Sequence, residues 1–241
     1  MRIAAAASLQ DVVTALNERF TAMTGSPCQV SFASSGTLAQ QIKASPQADV
    51  FLSASERWMR AVQEAGRFEA DRYETLWRNQ LVVLSHPQVR WADRPFEALD
   101  HGGIRLMAMG DPTHVPAGRY AQAWLDAWSR PTPPPRWLVE SERVFAPDAR
   151  AILTWVEARQ DVVGIAYATD YRSWSDRVQL VHRVPVAEGP EIRYFAGLIK
   201  AQPNLATARQ YLAFLQSDLA REIVQAHGFF LDAAPAEPPA P

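Results

Sequence analysis

The sequence predicts an α/β protein folded in two lobes, each a mostly parallel sheet flanked by helices, with the chain crossing twice between them. Two patterns lead to that prediction. In roughly the first 65 residues, three short apolar runs alternate with three stretches of helical spacing, as right-handed βαβ units do. From Leu81-Val82-Val83-Leu84 onward the alternation restarts, so a second lobe follows the first. A third observation locates a ligand. Two apolar runs stop at a serine that opens a helix, and open α/β sheets bind ligands outside the carboxyl ends of their strands.

Taken in order, Ile3 to Ala7 is the first strand. Val12, Val13, Leu16 and Phe20 then share one helical face that stops at Thr24-Gly25. Val30 to Ala33 is the second strand and Leu38 to Lys43 the second helix. Ala48 to Ser53 is the third strand, and the helix over Ser55 to Met59 stops near Gly66. Leu81 to Leu84 is a strongly apolar strand ended by His86-Pro87. Ile104 to Met109 is a strand, Gly110-Asp111-Pro112 a turn, and Ala117 to Trp128 a helix. Pro131 to Pro135 is a stiff connector leading to Trp137-Leu138-Val139. Asp148 to Ala158 reads as a helix, and Val162 to Ala166 and Val178 to Val181 as strands. Ile192 to Lys200 is a long strand, followed by helices over Ala206 to Phe214 and Asp218 to Ala226. Asp232 to Pro241 holds four prolines in ten residues, the composition of a disordered tail. Lobe 1 is then 1–80 plus 192–231, lobe 2 is 81–191, and the crossings fall near Leu81 and Ile192.

Composition narrows the function. The 241 residues carry 24 basic and 26 acidic side chains, a net charge of −2, which offers no basic footprint for nucleic acid. Cys28 is the only cysteine, so no internal disulfide and no multi-cysteine metal site can form. No apolar run approaches the ~18 to 20 residues that span a bilayer. Met1 to Ala7 is too short for a signal peptide and reads as the first strand.

The chemistry concentrates at the two serine junctions. Phe32-Ala33-Ser34-Ser35-Gly36-Thr37-Leu38-Ala39 is a strand end, a tight turn and a helix start rich in hydroxyls. Ser8 opens a helix in the same way, 27 positions earlier. The first N–H groups of a helix lack internal partners and sit at the positive end of its dipole, so such a start holds an anion without lysine or arginine. Either Ser34 or Ser35 could instead simply cap its own helix. Neither junction carries the glycine pattern of a P-loop or dinucleotide site, which argues against a nucleotide. In the second half, Pro116-Ala117-Gly118 opens a helix with proline where a missing N–H costs nothing. Asp148-Ala149-Arg150 opens another, and Tyr167 ends a strand with a hydroxyl.

Five blocks then occur in a fixed order: Ala6-Ala7-Ser8-Leu9, Phe32 to Ala39, Ala48 to Ala54, Gly110 to Gly118, and Gly164-Ile165-Ala166-Tyr167. Together, over residues 3 to about 231, they resemble the periplasmic molybdate-binding proteins that serve ABC transporters. The resemblance implies a type II periplasmic-binding-protein fold that closes on one tetrahedral oxyanion, molybdate or tungstate. Carried over residue by residue, it implies hydroxyl donors from Ser8, Ser35 and Tyr167 and backbone N–H donors from Ala7, Ser35, Ala117 and Ala149. The metal would be reached only through the oxygens of the oxyanion. The family often has valine where this chain has Ala149, an acidic approach where it has Phe145-Ala146-Pro147, and a third serine where it has Gly36. The resemblance further implies no catalysis and no cofactor, a membrane permease of an ABC importer as partner, no membrane insertion, a monomer, and a periplasmic location reached with a signal peptide since removed.

Three rivals are weighed against it. A serine hydrolase would need Ser8 or Ser35 oriented by His86, His101 or His114, yet no Gly-x-Ser-x-Gly elbow is present. A cytoplasmic ligand-sensing domain lacks an attached DNA-binding module. A binding protein for sulfate, phosphate or an organic anion differs only in its ligand.

Overall fold

The computed structural model describes residues 1–91, 103–127, 138, 140–200 and 202–231. Its strands are β1 (Arg2–Ala6), β2 (Gln29–Ala33), β3 (Val50–Ser53), β4 (Glu74–Asn79), β5 (Leu81–Ser85), β6 (Leu106–Gly110), β7 (Glu142–Ala146), β8 (Val162–Tyr167), β9 (Gln179–Arg183) and β10 (Ile192–Leu198). The α-helices are α1 (Gln10–Thr24), α2 (Ser35–Ala44), α3 (Glu56–Glu64), α4 (Pro116–Asp126), α5 (Ala149–Ala158), α6 (Ala168–Ser173), α7 (Leu205–Leu215) and α8 (Asp218–Ala226).

Two five-stranded sheets form, one in the order β2-β1-β3-β10-β4 and the other in the order β7-β6-β8-β5-β9. In the first, β10 alone runs against its neighbours β3 and β4. In the second, β5 alone runs against β8 and β9. Each sheet is thus mixed, with four strands one way and one reversed. The chain passes from the first sheet to the second at Gln80, between β4 and β5, and returns between Arg183 and Ile192.

Parallel register sets up the site. β1 pairs with β2 from Arg2↔Gln29 to Ala6↔Ala33, and with β3 at Ala5↔Leu52, so three carboxyl ends meet at one edge. In the second sheet Gly110↔Ala146 and Ala108↔Gly164 bring the ends of β6, β7 and β8 to a matching edge. Helices must start at these edges, and their N-termini converge with them.

The core is apolar on the faces that the periodicity marks. Val12, Val13, Leu16 and Phe20 of α1 are buried. Phe20 meets Tyr211 of α7 edge-on at 5.1 Å and Phe214 at 5.6 Å, which ties the C-terminal helices to the first sheet. Burying one such ring contributes roughly 1.5–3 kcal/mol.

Several expectations shift, among them the following. The first strand stops at Ala6 rather than Ala7, because Ala7–Leu9 turns as a 3-10 helix into α1. The second helix starts at Ser35, not Leu38. β4 and β7 were not expected; both are edge strands carrying charged residues, so their apolar alternation is faint. The stretch 131–135, Trp128, Trp137, Val139, His101 and the tail 232–241 lie outside the described residues, whereas Leu138 is described and buried.

Candidate functional site

Between the two sheet edges lies a narrow cavity, far smaller than the ~300–1,000 Å³ usual for drug-sized ligands. Its lining includes Ala7, Ser8, Ser35, Ala117, Ala149 and Tyr167, so all six residues that the resemblance implies as donors border one space. Ala6, Ser34, Ala54, Val115 and Pro116 complete it. Among the described residues no Asp, Glu, Lys, Arg or His is in this lining.

Local bonding selects which amides face the cavity. At the start of α2, Ser34 Oγ accepts the Thr37 N–H, and the Gly36 N–H donates to the His114 carbonyl at 3.1 Å. At α4, Pro116 has no N–H, and the amides of Gly118 and Arg119 donate to the Val115 carbonyl. At α5, Asp148 Oδ1 accepts the N–H groups of both Arg150 and Ala151. None of these bonds engages the amide of Ser35, Ala117 or Ala149. Three helix starts therefore each leave one donor beside the cavity, at the positive end of a dipole. The choice left open between the serines is settled here for the cap: Ser34 takes it.

The hydroxyls differ in their tasks. Ser35 is fully buried, and its Oγ accepts the Ala54 N–H at 3.1 Å, which leaves its own hydrogen to donate. Ser8 Oγ lies 3.1 Å from Tyr194 Oη. Tyr167 is 1% exposed, lines the cavity, and its hydroxyl has no hydrogen-bond partner. An unpaired buried hydroxyl costs about 1–3 kcal/mol. Burial, aided by neighbouring Tyr194, Tyr120 and Asp170, pushes the Tyr167 phenol well above its ordinary range, so it stays protonated and can only be a neutral partner.

Contacts across the cleft hold it shut. Besides the Gly36–His114 bond, Tyr120 Oη donates to the Ala54 carbonyl at 3.2 Å, and Arg150 pairs with Asp11. A Cβ on residue 36 would sit 2.4 Å from the His114 carbonyl oxygen. Glycine at position 36 thus permits the close approach of the two edges. Behind Ala149, Arg150 Nε also lies 3.6 Å from the fully buried Asp170. Burial pushes the Asp170 carboxyl up to about 7 despite that arginine.

Among the described residues no histidine shares the cavity with the serines. His86 Nδ1 accepts the Gln88 N–H, and the His114 ring pairs with the Thr113 hydroxyl. Neither histidine lines the cavity. Among the described residues no group of three or more His, Cys, Asp or Glu could hold a metal ion, and no helix is long and apolar enough to cross a membrane.

Two sheets joined by two crossings, with helix starts facing one small cavity, define a two-lobed type II periplasmic-binding-protein fold. The chain belongs to the bacterial extracellular solute-binding protein family, whose model matches residues 1–230. It is 32% identical over 234 residues to the molybdate-binding protein ModA of Escherichia coli K12, covering 93% of this chain and 86% of that protein. The molybdate-binding protein ModA of Haemophilus influenzae is 31% identical over 205 residues, covering 83% of this chain and 77% of that protein. The fold is also that of the periplasmic molybdate-binding protein of Azotobacter vinelandii, with a TM-score of 0.82 at 20% identity, covering 96% and 99% of the two chains.

Proposed function

We propose that this protein binds molybdate or tungstate in the interlobe cavity and delivers it, as the extracytoplasmic receptor, to the membrane permease of an ABC importer. The observation that carries the reading is the donor set. Amides of Ser35, Ala117 and Ala149 and hydroxyls of Ser8, Ser35 and Tyr167 border a space with no charged side chain among the described residues, and the Tyr167 hydroxyl is buried without a partner. Ala7 adds backbone at the same edge. Such a site offers hydrogens from several directions and wants a fully ionised acceptor with oxygens all round. Tetrahedral molybdate and tungstate are such ions, and the named relatives bind molybdate.

In this reading residues 1–80 and 192–231 move as one lobe and 81–191 as the other. The protein is a monomer of the periplasm, uses no cofactor, carries out no chemistry, and reaches the metal only through the oxyanion's oxygens. That no histidine or acid is in the lining among the described residues supports binding over hydrolysis, since a serine nucleophile needs an oriented base.

Calorimetric titration with molybdate, tungstate, sulfate and phosphate tests the reading. Molybdate and tungstate should bind similarly, sulfate more weakly because its shorter bonds leave donors out of reach, and phosphate most weakly. Sulfate binding tighter than molybdate would replace the ligand; no binding of any of the four would reject the site.

A further inference from the structure

Behind Ser8 lies a buried chain of polar groups whose hydrogens can be assigned one after another. Ser8, Asn79 and Tyr194 are 5%, 6% and 0% exposed. The chain starts at the first crossing between the sheets. There the Gln80 N–H donates to Asn79 Oδ1 at 2.8 Å. That bond fixes the Asn79 amide, because turning it over would set its NH₂ against another donor. The Asn79 NH₂ therefore points the other way, to Thr169 Oγ1 at 2.8 Å and Tyr194 Oη at 3.1 Å.

Tyr194 Oη thus accepts from Asn79. Its own hydrogen can reach Ser8 Oγ, 3.1 Å away. Were Ser8 to donate to Tyr194 instead, Tyr194 Oη would receive two hydrogens, and its own would have to leave this chain. Burial pushes the Tyr194 phenol far above its ordinary range, so that hydrogen is never lost to water. Ser8 is left with one hydrogen, and Ser8 lines the cavity.

Resting on the oxyanion reading above, we propose that Asn79 and Tyr194 are positioning residues that make Ser8 a one-way donor to the bound anion. The hydrogens run Gln80 N–H to Asn79, Asn79 to Tyr194, Tyr194 to Ser8, and Ser8 to the ligand. A hydroxyl that is itself receiving a hydrogen bond donates more strongly and accepts less well. The chain therefore strengthens binding of a fully ionised oxyanion and disfavours one that brings a proton, such as hydrogen phosphate. It also anchors the ligand-facing serine to the backbone of the crossing, where Gln80 is held on both sides by Ala168 N–H to its carbonyl at 2.8 Å and by its own Nε2 to the Val184 carbonyl at 2.6 Å.

The test is a mutant cycle read by calorimetry, with molybdate and phosphate as probes. The unchanged protein is titrated first with molybdate, tungstate, sulfate and phosphate. Tyr194→Phe should weaken molybdate about tenfold, the size of one strengthened hydrogen bond, and narrow the molybdate-to-phosphate ratio. In a Ser8→Ala background the same Tyr194→Phe step should change affinity less than about twofold, because it has nothing left to act on. Asn79→Leu keeps both hydroxyls but frees their direction, and should narrow the ratio as well. Thermal melting of each variant checks folding, and Tyr194→Phe, which removes one oxygen, is the variant on which the inference stands or falls. Additive losses across the cycle, or an unchanged anion ratio in Tyr194→Phe, overturn the positioning role while molybdate binding by the unchanged protein still upholds the function. An unchanged protein that binds sulfate but not molybdate overturns the choice of ligand, and the cycle is then read with sulfate. Binding of none overturns both.

Discussion

Replacing Tyr167 by phenylalanine should move stability and affinity in opposite directions. In the closed protein the Tyr167 hydroxyl is buried and has no hydrogen-bond partner, so it has given up water for nothing. Removing it takes away a desolvation cost of about 1–3 kcal/mol, partly offset by the small void left behind. The ligand-free protein should therefore melt at the same temperature as before or higher. With an anion in the cavity the same hydroxyl becomes a charge-assisted donor, and such bonds contribute roughly 1.5–3 kcal/mol. Since 1.4 kcal/mol is tenfold, molybdate affinity should fall roughly ten- to a hundred-fold. The gain in melting temperature on adding saturating molybdate should shrink accordingly. Differential scanning calorimetry with and without molybdate, beside an isothermal titration, reads all three quantities. Affinity unchanged within twofold, with a lowered melting temperature, would make Tyr167 an ordinary sheet-end tyrosine and refute the assignment.

Four further outcomes follow from the same geometry. Ser35→Ala should lose both ways, because Ser35 Oγ also accepts the Ala54 N–H: about 1–3 kcal/mol of stability and about tenfold or more in affinity, measured by denaturant titration and calorimetry. Gly36→Ala would drive a methyl to 2.4 Å from the His114 carbonyl and 2.8 Å from the Trp58 ring, so it should weaken the anion roughly tenfold by opposing closure and also lower the melting temperature of the ligand-free protein. Adding molybdate should lower the radius of gyration in small-angle scattering, since donors from both sheets must meet one small ion; identical profiles with and without saturating ligand would contradict the two-lobe reading. Asp170 predicts a pH dependence. Its folded pKa of about 7 lies above the ordinary 3.8, so the folded form holds the extra proton between those values and stability falls as pH rises through that window. Asp170→Asn should flatten the melting-temperature profile between pH 4 and pH 7, and a profile as steep as before would show that another group is responsible. Asp11 does not confuse the test. Burial raises its pKa, but hydrogen bonds from Ser173 and Arg150 outweigh this and lower it, so its contribution is lost only as pH falls below the ordinary carboxylate range.

Much of this protein was legible in one dimension. Apolar runs followed by 3.6-residue spacing specify βαβ units, because burial on both faces of a parallel strand and on one face of a helix leaves that pattern in any chain. The serines at positions 8 and 35, the proline before Ala117 and the aspartate before Ala149 are local signals, since capping depends on residues within a few positions of a helix start. They marked the helix starts at Ser8, Ser35, Ala117 and Ala149 that border the cavity, whereas the full donor set, with Ala7 and Tyr167, came from the family resemblance. Edge strands β4 and β7 escaped because a strand with one free side need not be apolar.

Tertiary structure alone decided which donor each helix start spares. That choice depends on Gly36 meeting His114 across the cleft as much as on the caps themselves. It alone revealed the chain behind Ser8, whose members are separated by 186 and 115 positions in sequence, at distances of 3.1 Å in space. Tyr194 sits within the strand over Ile192–Leu198 and carried no signal of its own in the sequence. Its hydroxyl acquires a direction only because a backbone amide at the crossing orients Asn79, and no local pattern carries a contact of that range. Helix starts are written into neighbouring residues, whereas the direction of a hydrogen bond is a property of everything packed around it.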